Sequence, residues 1–299
     1  MQPTTEKNRS LPDAEPVAAE TQPLRPTPDE RRPFPTAGDL LAMLGIVLGM
    51  QVVASLTVTF VMAVLGLEPG ADDPLQQGRC MAAVYLLAMV PAYFMVLGYR
   101  HARGGTGPIG CFSTRGLNPV LLLWAFVFML AVSVVCEPLL ALLPAPKPYA
   151  FGRGGWALAV LVAAAPVLEE LLCRGVVLGA LRARYGAVAA WLVSALFFGV
   201  LHLQPVLVVN AFVIGLILGY VYMVTDSLWA TMILHALNNA VAYLLLLTGH
   251  GDTMLSELVD GTVYWVVYGT AAVVTVLSAW MSARTLRRMK EARKKEEAA

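Results

Sequence analysis

Charge is what this chain of 299 residues is short of. Asp, Glu, Lys and Arg make up 14% of it, against 58% from the hydrophobic set, and mean hydropathy is +0.68. An average soluble domain is about a quarter charged, so an ordinary water-soluble globule is excluded. The net charge of +1 gives no excess of either sign that would draw nucleic acid or a polyanionic substrate. Cysteine is scarce as well. The four present (Cys80, Cys111, Cys136, Cys173) show neither a CxxC pair nor zinc-ribbon spacing, so they read as free thiols and not as a disulfide frame. HExxH is missing, there is no internal repeat, and the N-terminus lacks the apolar core of a secretion signal.

What is present falls into three regions. Residues 1–36 carry 8 of the 19 prolines among mixed charges and no apolar run. Such a segment buries too little to offset chain entropy, and a disordered, Pro-rich tail is expected there. Residues 37–283 form the membrane domain, with a motif-bearing core over 156–247, and 284–299 form a basic tail.

The fold class this predicts is all-α, a polytopic membrane bundle of about eight transmembrane helices. Eight apolar stretches recur, at about 40–67, 80–99, 120–143, 156–180, 187–203, 205–224, 228–247 and 262–283. Each is matched to about 30 Å of hydrocarbon and must be helical, since lipid offers no partner to free backbone groups. The fifth is short, and the break at Gln204-Pro205 is tight. Gly45-xxx-Gly49, Gly175-xxx-Gly179 and Gly215-xxx-Gly219 are of the kind that permits close helix contact. With an even number of spans, 17 basic residues fall on the side of the termini and 3 (Arg79, Lys147, Arg153) on the other, with Arg174 inside the bilayer. That bias puts both termini in the cytoplasm, and the plasma (inner) membrane is the expected location.

Three charged groups stand where lipid penalises them. The fourth span reads Pro166-Val-Leu-Glu-Glu-Leu-Leu-Cys-Arg-Gly175, and each of Glu169, Glu170 and Arg174 opposes insertion by roughly 2.5 to 3.5 kcal/mol if charged and lipid-exposed. They must therefore face protein or a wet cavity. Glu170 and Arg174 are four apart and share a helix face, so an ion pair that fixes packing accounts for Glu170. Glu169 is rotated by about 100° and has no such partner. The fifth span closes on Phe198-Gly-Val-Leu-His202, and the seventh holds His235-Ala-Leu-Asn238-Asn239, with His235 and Asn239 on one face. A lone histidine in a bundle is ordinarily a satisfied core residue; the coincidence of all these groups is what calls for chemistry.

Glu169 and His202 lie about equally far from the turn at Tyr185-Gly186, whereas His235 is only nine residues beyond Asp226. At about 1.5 Å per residue, His235 starts roughly 10 Å out of register, and convergence requires tilt or a projecting helix end. A carboxylate in a low-dielectric pocket suits a general base acting on water. A histidine can orient that water, and histidine and asparagine N–H groups can stabilise an oxyanion. Together these suit hydrolysis of an amide. Cys173 lies within the motif but has no paired base.

Glu-Glu-xxx-Arg (Glu169, Glu170, Arg174), Phe-xxx-His (Phe198, His202) and His-xxx-Asn (His235, Asn239) resemble the three motifs of the CPBP intramembrane proteases, the CAAX-protease and bacteriocin-processing family also called Rce1-like or ABI. The resemblance covers about 156–247. It implies an all-helical membrane fold and an endopeptidase acting on a membrane-associated protein or peptide, lipidated or not, in the bilayer. By motif position, Glu169 is the general base and Glu170 its partner, tuned by Arg174. His202 helps hold the water, and His235 and Asn239 form the oxyanion site, with Phe198 supporting. No cofactor is expected; the alternative is Zn2+ held by Glu169, His202 and His235. Two other function classes stay open: a non-catalytic immunity or maturation factor that binds a peptide, and a proton-coupled transporter. Against the transporter stands the lack of an inverted repeat.

Overall fold

The computed structural model describes residues 34–67, 73–144, 152–251 and 253–298. Among these the fold is helical throughout, with a single isolated bridge between Phe112 and Ser227. The expectation of a disordered tail over 1–36 falls, apart from residues 34–36, outside the described residues.

Seven helices are long and apolar enough to cross a membrane: α1 (Ala37–Val64), α2 (Pro74–Ala102), α3 (Pro119–Leu140), α4 (Gly155–Val200), α5 (Pro205–Thr225), α6 (Leu228–Leu247) and α7 (Gly261–Ala298). The chain is an integral multi-pass membrane protein. The eight spans expected from the sequence appear as seven long helices because the fourth and fifth meet end to end within α4. They remain distinct arms, since Gly186 inside α4 has φ 81° and ψ 177°, a non-helical conformation open to glycine at no steric cost. The arms are 155–185 and 187–200, and the chain folds back at that one residue.

The helix starts are written locally. Thr36 caps α1, accepting from the Asp39 amide at 3.1 Å while Asp39 Oδ2 accepts from the Thr36 amide at 2.7 Å. Asp73, Asn118 and Ser227 cap α2, α3 and α6 through side-chain oxygens, and proline occupies the first helical position of α2, α3 and α5.

Contacts at the helix ends sort the bundle into two rims. On one, Arg103 Nε bonds Asp39 Oδ1 at 2.8 Å, Arg182 Nη1 lies 3.3 Å from Asp226 Oδ1, and Arg184 and Tyr185 both donate to the Pro35 carbonyl. The start of α1, the end of α2, the Gly186 break and the α5–α6 turn thus lie together. On the other rim, the Arg153 amide donates to Pro74 O at 2.7 Å, the Gly154 amide to the Tyr243 hydroxyl at 3.0 Å, and the Ser256 amide to Glu137 Oε1 at 3.0 Å.

Burial places α5 at the centre and α1 and α7 at the edge: 44% of the most apolar window of α5 is buried, against 17% in α1 and α7. The outer helices present large apolar side chains outward, among them Leu56, Phe60, Val276 and Trp280, as a lipid-facing surface requires. Of the three small-residue pairs in the sequence, only Gly215 and Gly219 sit in a tight crossing. A Cβ on Gly215 would lie 3.2 Å from Ala195 Cα, and one on Gly219 would lie 3.0 Å from the Trp191 ring. Here α5 and the second arm of α4 close into a hairpin. Gly45 and Gly49 have nothing within 4 Å.

Candidate active site

The carboxylates stand in a helix that departs twice from α geometry. Residues 159–164 and 171–178 of α4 are π-helical, and Ala165–Glu170 between them is α-helical. Hydrogen bonds of the i→i+5 type take more residues per turn and free carbonyls that an α-helix would occupy; such segments occur frequently at functional sites. Whatever register difference the residue count foresaw, Glu169 Oε2 and His235 Nε2 lie 3.8 Å apart.

Glu170 and Arg174 form the pair that their spacing foretells. Arg174 Nη1 lies 2.6 Å from Glu170 Oε1, and both side chains are fully buried. Arg174 Nη2 reaches Gly215 O at 2.9 Å, and the guanidinium carbon sits 4.8 Å from the Phe198 ring centroid. His235 Nδ1 also approaches Glu170 Oε1, at 3.2 Å. Glu170 Oε2 makes no hydrogen bond among the described residues, and the Thr231 hydroxyl donates to Leu228 O at 3.1 Å.

Glu169 is held quite differently. Its side chain is 13% exposed where that of Glu170 is sealed. The Tyr85 hydroxyl of α2 donates to Oε1 at 2.8 Å, and Oε2 lies 3.8 Å from His235 Nε2. That separation is too long for a direct hydrogen bond. A single water beside the two atoms can reach both at ordinary hydrogen-bond distance.

Phe198 is the wall of the site. It meets His235 edge-to-face with centroids 5.4 Å apart and His202 likewise at 5.1 Å. His202 Nδ1 is 3.0 Å from Phe198 O, an arrangement in which Nδ1–H donates to the carbonyl and Nε2 is left as the acceptor. Among the described residues His202 makes no hydrogen bond or ion pair with either glutamate. Asn239 Nδ2 donates to Leu161 O at 2.9 Å, within the first π-helical stretch; its second N–H is not used in that bond. So Glu169, Glu170, Arg174, His235 and Phe198 come together directly. His202 joins through Phe198, and Asn239 lies one helical turn along the same face of α6.

Tyr85 was not among the candidates the sequence offers, and its only signal there is a phenol in an apolar span, a group that needs a partner when buried. Among the described residues no three His, Cys, Asp or Glu side chains are grouped so that they could hold a metal ion. Cys173 is fully buried, and its carbonyl accepts from Ser194 at 2.9 Å.

No curated protein and no solved structure matches the chain. A family model does match, over residues 152–241: type II CAAX prenyl endopeptidase, Rce1-like. The matched segment takes in both π-helical stretches and every motif residue from Glu169 to Asn239, and excludes Tyr85. Over the segment from α4 to α6 the chain is therefore similar to the Rce1-like endopeptidases.

Proposed function

We propose that the protein is an intramembrane endopeptidase in which Glu169 activates water against a peptide bond of a membrane-associated protein or peptide. The observation that carries this reading is the inequality of the two glutamates. Glu170 is sealed and engaged by Arg174 and His235, whereas Glu169 is partly accessible and has one oxygen directed at an imidazole 3.8 Å away. An ion pair needed only for packing would not require the second carboxylate.

Glu169 takes a proton from water as the water oxygen bonds to the scissile carbonyl carbon. The carbonyl oxygen becomes an oxyanion facing N–H groups of His235 and Asn239, while His202 helps to orient the water. As the carbon–nitrogen bond breaks, Glu169 returns the proton to the departing amine, so acid and carboxylate are regenerated with one water consumed. Arg174 and His235 both meet Glu170 Oε1, which fixes the imidazole orientation. No step requires a metal. The termini and the Gly186 break face the cytoplasm in this reading, since Arg100, Arg103, Arg182 and Arg184 line that rim, and the plasma membrane is the host bilayer.

The test is proteoliposomes of the full chain given a prenylated peptide ending in a CAAX sequence, with products read by mass spectrometry in 18O-water. Cleavage at one internal peptide bond, with the label in the new carboxylate, supports the proposal. Dissipation of a pH gradient with the peptide intact would instead favour transport.

A further inference from the structure

The Tyr85 hydroxyl lies 2.8 Å from Glu169 Oε1, 84 residues away in the chain and on a helix outside the family match. Resting on the proposed function above, we infer that Tyr85 is a positioning residue for the general base: it pins one oxygen of Glu169 so that the other is presented to water.

A glutamate has three rotatable side-chain bonds, and its two oxygens exchange by rotation about the last of them. A base that must meet a water at hydrogen-bond distance loses efficiency when that rotation is free. One hydrogen bond restrains that rotation here. The phenol of Tyr85 approaches from α2 and holds Oε1, while His235 approaches from α6 and faces Oε2 at 3.8 Å. Glu170 has no part in this clamp, because its Oε1 is taken by Arg174 and His235 Nδ1. Arg174 is likewise turned away, towards Glu170 and Gly215. Tyr85 is therefore the one side chain among the described residues that hydrogen-bonds to Glu169.

The phenol is itself held in place. Its ring packs into the apolar cluster of Met89, Leu168 and Cys173 that joins α2 to the first arm of α4. Near the start of α2 backbone meets backbone: a Cβ on Gly78 would lie 2.5 Å from Arg153 O and 3.4 Å from Ala157 Cβ, so α2 packs closely against the start of α4. Tyr85 spends its one hydroxyl donor on the partly accessible carboxylate.

The test compares the full-length parent with Tyr85→Phe, Tyr93→Phe and Glu169→Gln in proteoliposomes with the prenylated CAAX peptide, reading kcat, KM and the thermal unfolding midpoint. Tyr85→Phe removes one oxygen and leaves the ring packing. Expected is a fall in kcat of about ten- to hundredfold, the span of a single hydrogen bond to a charged group, with KM within twofold and the midpoint unchanged. Tyr93→Phe, on the same helix and away from the carboxylates, is expected to match the parent. If the parent cleaves and Glu169→Gln does not, yet Tyr85→Phe keeps the parent kcat, the positioning role is overturned and the base assignment stands. A loss in Tyr85→Phe that appears in KM or the unfolding midpoint and not in kcat also overturns it. If the parent does not cleave, or Glu169→Gln cleaves as the parent does, the proposed function itself fails.

Discussion

Arg174 donates to the main-chain oxygen of Gly215 at 2.9 Å, 41 residues downstream. The guanidinium that pairs with Glu170 is thereby also a tie between the glutamate-bearing arm of α4 and the α5 hairpin. Gly215 permits it by its lack of a side chain, since a Cβ there would already stand 3.1 Å from the Phe198 ring.

Breaking this tie is expected to unfold more than it inactivates. Arg174→Met leaves Glu170 buried without its cation, at a cost of about 3–5 kcal/mol. Glu170→Gln together with Arg174→Met removes both charges and is expected to recover most of that loss while remaining without activity. Thermal unfolding in detergent of the two variants and the parent checks the order; a double variant no more stable than Arg174→Met contradicts it.

Two glycines of similar sequence context should respond oppositely. A Cβ on Gly199 would fall 2.7 Å from Val208 O, a backbone atom that cannot step aside, whereas Gly45 has open space around it. Gly199→Ala is expected to destabilise by about 1–3 kcal/mol by forcing the hairpin apart. Gly45→Ala should be neutral or gain up to about 1 kcal/mol from helix propensity. Unfolding midpoints of the two variants decide it.

The motif pairs show how far sequence reaches. Spacing of four residues was enough to foretell the Glu170–Arg174 bond, because i and i+4 meet on any helix. The partner of Glu169 was not legible: Tyr85 arrives from another helix, and nothing local to either residue encodes that meeting. The π-helical stretches were equally hidden, since hydrogen-bond register within α4 depends on what packs against it, and with them went the carbonyl of Leu161 that Asn239 finds. His235 and Asn239 do share a face, as spacing requires, yet each bonds a different part of α4. Gly186 was legible as the turn of a helical hairpin, and the chain does leave helical geometry at that residue.

Sidedness is testable through a native thiol. Cys111 is the exposed cysteine, and its carbonyl accepts from the Leu228 amide at the α5–α6 turn, on the rim that also holds Asp39 and Arg182. A membrane-impermeant maleimide is expected to label Cys111 in inside-out vesicles and not in right-side-out ones. Labelling from the outer face contradicts the cytoplasmic assignment of that rim.

The proposed mechanism uses Glu169 and water and calls on no metal; its alternative is Zn2+ held by Glu169, His202 and His235. Prolonged incubation of the reconstituted protein with 1,10-phenanthroline is expected to leave cleavage unchanged. Loss of activity that added zinc restores would contradict this.

The most direct measurement is the single-turnover cleavage rate of the prenylated CAAX peptide by Glu169→Gln in proteoliposomes, set against the parent at equal unfolding midpoint. Replacing one carboxylate oxygen by an amide nitrogen keeps the volume and removes the base. The rate is predicted to fall by about 10²- to 10⁴-fold, the contribution typical of a positioned general base. Cleavage by Glu169→Gln at the parent rate would contradict the account.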